Sequence, residues 1–278
     1  MKKGLIFTAI WVVCFGLNIY IHHSPIYSLL NSFLLLLGIW HFPKSLNTIY
    51  LLGLATIPIL TWSSSSVIPG LFVIVFEIFF ICGIDSKGIL RKIFFSFAVI
   101  TFSISLLLTG GILRYEGSEF GTINKEQLFI YQTDSVTSLE KTTGTFQTDL
   151  WGKGIPFTRS KYVHNMSVSI FNRFFRNLTE FLYLPNFYQT ILLANLYLIL
   201  LGMLCINNNQ AADLKILLYT FFGIFIIVVG ISLHMGKNAS VYPLIPVFIF
   251  LAGQGIIKSR LPVYVGLLIF QLLLLGWG

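Results

Sequence analysis

Few residues in this sequence are equipped for chemistry, and they sit in three places. Glu77 is the first. It is the one acidic residue well inside an apolar run, flanked by Val75, Phe76, Ile78 and Phe79. A charge at mid-membrane costs about 2.5–3.5 kcal/mol on insertion scales, so a residue of this kind is a functional suspect by default. Two readings stand side by side. Glu77 handles a proton or ion in a transport path, or it snorkels toward Asp85 or rests protonated. A transport path normally gathers several polar groups at mid-membrane, and Glu77 stands nearly alone. The second place is His234, Lys237 and Asn238, with Tyr242 just beyond. A cation beside imidazole and amide donors suits a phosphate or diphosphate, and a solvated loop is the plainer alternative. The third is the basic run Arg159, Lys161, His164, Arg173 and Arg176. It suits an anionic lipid or a lipid-linked phosphate, with ordinary headgroup contact as its alternative.

No catalytic residue can be assigned. Asp134, Glu140 and Asp149 are scattered, and no P-loop, HExxH, GxSxG or GxGxxG motif stands in a suitable setting. Cys14, Cys82 and Cys205 each lie inside an apolar run, without a CxxC or Cys/His cluster, so neither a disulfide framework, a metal nor another cofactor is expected. Asn165-Met-Ser and Asn177-Leu-Thr match the glycosylation sequon, a pattern common by chance.

The elements that must position these residues follow from composition. Of 278 residues, 56% are hydrophobic and 10% charged, against roughly 25% charged in soluble domains. Most of the chain therefore need not face water. The 27 Phe and 12 Tyr suit a lipid-facing surface with aromatic belts. The net charge of +8 does not indicate nucleic acid, because the basic residues sit singly between apolar runs. The expected fold is an all-α polytopic membrane protein. A span needs about 20 apolar residues, and about nine transmembrane helices fit: 4–21, 26–42, 47–62, 67–83, 93–113, 187–206, 216–233, 241–257 and 261–277. Pro43, Lys44 and Ser45 separate the second from the third, which could instead form a re-entrant pair. Met1-Lys2-Lys3 opens like a signal peptide, but Ile19, Tyr20, Ile21 and His22 occupy the cleavage position, so this run is expected to remain as the first span.

Counting Lys and Arg in the short connections sets the orientation. With the N-terminus in the cytoplasm, the inner segments hold Lys2, Lys3, Lys44, Lys87, Arg91, Lys92, Lys215, Lys258 and Arg260. The short outer loops hold Lys237 alone. The chain thus divides into an N-terminal membrane bundle of about five spans (1–113), an extracytoplasmic segment (114–186) and a C-terminal bundle of about four spans (187–278). The expected location is the plasma membrane.

The segment 114–186 mixes short elements. It carries eight Lys/Arg and seven Asp/Glu. Residues 127–132 read as a strand, and 142–154, rich in Thr and Gly, as turns. From 167 to 184, Ile170, Phe171, Phe174, Phe175, Leu178, Phe181 and Leu182 recur at helical spacing, while Asn172, Arg173, Arg176, Asn177 and Glu180 fill the other face. Such an amphipathic helix lies flat in the membrane interface, or packs on the protein's own polar segment.

Over roughly residues 90–257 this arrangement resembles the C-terminal part of the GT-C fold glycosyltransferases, the mannosyltransferase-like membrane family that uses polyprenol-phosphate sugars. The similarity rests on Tyr131-Gln-Thr-Asp-Ser135, on 162–178 leading into Tyr183-Leu-Pro-Asn-Phe187, and on His234-Met-Gly-Lys-Asn238 before Tyr242-Pro-Leu-Ile-Pro246. It implies an envelope protein that binds a polyprenol-phosphate-linked sugar or its acceptor. The family places an acidic base in the first outer loop. Here that loop is His22-His23-Ser24-Pro25, without a carboxylate, and the chain is short for the family. The resemblance therefore implies a relative without a complete catalytic site. The alternatives are a structural or assembly subunit held to another membrane protein, and, third, a transporter with Glu77 in its path. Membrane lipid is an expected partner in each case.

Overall fold

The apolar runs fold as helices. The structure is a computed structural model that describes residues 48–61, 67–114, 121–124, 128, 171, 174–179, 192–209, 212–232 and 241–276, with 12, 16, 29 and 33 as single positions. Seven helices of twelve or more residues are described. They are α1 (Thr48–Thr61), α2 (Val67–Asp85), α3 (Gly88–Thr109), α4 (Leu193–Asn209), α5 (Ala212–Ile231), α6 (Ile245–Ile256) and α7 (Leu261–Gly276). A 3-10 turn, Tyr242–Leu244, leads into α6. Among the described residues there is no strand, only two isolated β-bridges. α2, α3 and α5 are each long and apolar enough to cross a bilayer, which points to integration in a membrane. The spans expected at 4–21 and 26–42 lie outside the described residues, apart from those four single positions.

The helices differ from the expected spans chiefly at α3. It begins at Gly88 rather than 93 and ends at Thr109 rather than 113. Arg91 and Lys92 look like loop charges in the sequence, yet both lie near the start of the helix. Arg91 donates from Nε to Ser86 O at 2.9 Å and from Nη2 to Ile84 O at 3.2 Å. These carbonyls close the C-terminal end of α2, where a cation is favoured by the helix dipole. Gly88 makes the reversal possible, with φ of 61°, a region open to glycine without strain.

The chain forms two compact units, 1–109 with 184–224 and 240–278, and 110–183 with 225–239. In the first, α2 and α3 pack as a hairpin joined by Ser86 and Lys87. Phe95, Ala98, Phe102, Ser105 and Leu106 line the buried face of α3 at spacings of three and four. Its other face presents Ile89, Ile93, Phe97 and Ile100, all exposed, a surface that suits lipid rather than water. The hydroxyls of Thr101 and Ser105 bond to carbonyls of their own helix, which satisfies them without a partner helix. Phe76, Phe102 and Phe221 pack ring on ring at 4.9–5.3 Å and join α2, α3 and α5.

α4 and α6 approach closely. A Cβ on Gly202 would collide with Leu251 O, and one on Gly255 with Leu198 O. Small residues that let backbones meet are how helices pack where no hydrophobic drive separates them from lipid. α1, α4 and α7 are joined instead by polar groups. Asn195, fully buried, donates from Nδ2 to Gly53 O at 2.8 Å and Thr56 Oγ1 at 3.0 Å, and accepts from Tyr264 OH at 3.0 Å. Leu193 N–H bonds Gln271 Oε1 at 2.5 Å.

The second unit holds a short reversal after α3. Arg114 N–H bonds Thr122 O at 3.0 Å, Gly121 N–H bonds Arg114 O at 2.8 Å, and Leu113 bridges Ile123. The glycine pair 110–111, with Gly111 at φ 68°, stops α3 here. Residues 174–179 are helical, and α5 ends in this unit.

Candidate functional site

The first candidate place is in the first unit. Val73, Phe76, Glu77 and Phe80 form the buried stripe of α2, while Leu71, Val75 and Ile78 are exposed. Glu77 thus faces the protein interior. It is 1% exposed, and neither carboxylate oxygen has a hydrogen-bond partner among the described residues. The snorkelling alternative is removed by this burial. Tyr242, fully buried in the 3-10 turn, is within electrostatic reach of Glu77. Neither their spacing nor their types in the sequence signalled this pairing, because they stand 165 positions apart.

The second place is in the second unit. Asn177 Nδ2 donates to Gly230 O at 3.0 Å and to Ser232 O at 2.8 Å. Phe174 packs so closely on Gly230 that a Cβ there would collide with its ring. Leu128, the described residue of the expected strand 127–132, makes an antiparallel bridge with Ser232. Three stretches far apart in sequence therefore meet at the end of α5. Glycine at 230 is what lets the ring approach, and the burial of Asn177 is what makes its paired bonds count.

The expected polar face of the helix near 171–179 is corrected in one respect. Asn177 is buried and turned to α5, not exposed with the charged residues. A side chain with its amide committed to two carbonyls is no glycosylation acceptor. The expected apolar stripe is split. Phe174 turns to Gly230, whereas Phe171 and Phe175 stack at 4.4 Å and are 61% and 47% exposed. The helix is held by one edge and leaves an aromatic edge free. Arg176 is exposed beside this edge.

Arg159, Lys161, His164, Arg173, His234, Lys237 and Asn238 lie outside the described residues. Arg176 is the described member of the basic run, and Ser232 is the last described residue before His234. Asn177 was missed as a positioning residue because a satisfied amide leaves no pattern in a sequence. Cys82 is half-buried and Cys205 buried, and both are free. Among the described residues no group of His, Cys, Asp or Glu is placed to hold a metal ion.

Compared with known proteins, the chain matches no family model, no curated protein and no solved structure.

Proposed function

We propose that this chain is an integral protein of the plasma membrane in the cell envelope. It crosses about nine times, with its N-terminus in the cytoplasm and residues 114–186 outside. It is GT-C glycosyltransferase-like and binds a polyprenol-phosphate-linked sugar or its acceptor without a complete catalytic site. The observation that carries this reading is the pair of hydrogen bonds that Asn177 Nδ2 donates to Gly230 O and Ser232 O. It ties the helix that bears Arg176 to the end of α5, two residues before His234 and five before Lys237. Arg176 of one basic stretch thereby sits on a helix tied to the chain that leads, in sequence, into the other.

The free edge of Phe171 and Phe175 supports the same reading. Aromatic rings exposed beside an arginine suit the boundary between acyl chains and headgroups, where a polyprenol phosphate presents its charge. The test is binding of a polyprenol phosphate to purified protein, with Arg176→Ala and Lys237→Ala alongside. Both variants are expected to weaken binding about tenfold, the effect of losing one charge-assisted contact of about 1.4 kcal/mol. Binding absent from the parent, or unchanged in both variants, rejects the site.

A further inference from the structure

α6 starts in an unusual place. It has twelve residues, which is about 18 Å of helix at 1.5 Å per residue, well short of a bilayer core of about 30 Å. The backbone before it is a 3-10 turn, and Val241, Tyr242, Leu244 and Ile245 are all buried. The turn packs on α2 and α3. Its cause is in the sequence. Pro246 has no N–H to give Tyr242 O, which instead accepts from Ile245 N–H, and Pro243 removes another donor. Irregular backbone is tolerated at membrane depth only where protein buries it or where it lines a cavity.

Glu77 lies on the buried stripe of α2, the helix on which this turn packs. A carboxylate buried to 1% exposure without a hydrogen-bond partner among the described residues is costly unless something neutralises it. Next to it on the same helix, Phe76 and Phe80 are buried, and they pack with Phe102 of α3 and Phe221 of α5. The buried hydroxyls of α3 are bonded to their own helix. Among the described residues, Tyr242 is a titratable group within electrostatic reach of Glu77, and the buried faces of α3, α5 and α6 present no charged side chain. An acid thus stands on the interior stripe of α2, whose other buried members are Val73, Phe76 and Phe80.

We infer that Glu77, with Tyr242 at the break before α6, is an intramembrane site for a small monovalent cation, either a proton or a sodium ion. The carboxylate takes up the proton to become a carboxylic acid, or holds sodium at its two oxygens. The site is separate from the lipid-phosphate reading, whose test turns on Arg176 and Lys237.

The experiment is thermal unfolding of the purified full chain in detergent, across a pH series and with sodium exchanged for choline. Binding to the folded state alone raises Tm. The wild type is expected to gain several degrees as pH falls, or as sodium replaces choline. The first result assigns the proton and the second sodium. Glu77→Gln copies the neutral carboxyl in shape, so it is expected to fold and to melt at the upper plateau in every condition. A wild-type Tm flat in both series overturns the inference. So does a dependence that Glu77→Gln retains, or a Glu77→Gln chain that does not fold.

Discussion

Asn177 holds Ser232 through a side-chain amide that donates to its carbonyl at 2.8 Å, across 55 positions of sequence. The same nitrogen donates to Gly230 O. One small polar side chain thereby fixes where the helix near 171–179 sits against the end of α5. Asn177→Ala removes both bonds and leaves two carbonyls unsatisfied, a loss of about 1–3 kcal/mol. Asn177→Asp keeps the size but turns a donor into a charged acceptor facing two carbonyl oxygens. It is expected to be the worse variant. Thermal unfolding ranks the two, and amide exchange at 226–232 is expected to rise in both. Aspartate tolerated better than alanine would mean that the tether does not exist in solution.

The crossing of α4 and α6 makes an equally sharp prediction, because glycines of two kinds occur in the same unit. Gly202 and Gly255 leave no room for a methyl group, since a Cβ would strike the facing backbone and not a side chain that can swing away. Gly202→Ala and Gly255→Ala are expected to lose about 1–3 kcal/mol or more through forced separation of the helices. Gly223 in α5 has nothing within 4 Å of its Cβ position. There alanine is expected to be neutral or to gain up to about 1 kcal/mol from helix propensity. Melting temperatures of the three variants in one detergent decide the matter, and equal effects at 202 and 223 would refute the close crossing.

The helices from 48 onward were legible because apolar length is a strong signal and because a backbone in apolar surroundings must satisfy itself internally. Glu77 was legible for the opposite reason, as a charge standing alone in such a run. The start of α3 was not. Arg91 and Lys92 carry the composition of a loop, and nothing in the sequence says that Arg91 will spend its donors on the carbonyls of α2. Asn195 and Asn177 were silent for a related reason. Each is positioned by partners more than fifty residues away, and no local spacing encodes such partners. The 3-10 turn before α6 had a readable cause in Pro243 and Pro246. Its burial beside Glu77 did not, because that depends on how α2 and α6 pack.

The proposed orientation can be tested on either side of α3. With 22 residues, that helix is about 33 Å long at 1.5 Å per residue, enough to separate its two ends by a bilayer. Lys87 is exposed just before it and Ile123, 61% exposed, follows it. The excess of Lys and Arg places Lys87 inside. In a chain whose three native cysteines are replaced by alanine, Lys87→Cys is expected to resist an impermeant maleimide in intact cells and to react once the membrane is opened. Ile123→Cys is expected to react in intact cells. Both positions labelled from outside would mean that α3 does not cross, and the reverse pattern would mean that the charge bias had been read with the wrong sign. The second outcome would also move the Lys237 loop and Arg176 to the cytoplasmic face, where a lipid phosphate could still bind but an extracytoplasmic sugar transfer could not be served.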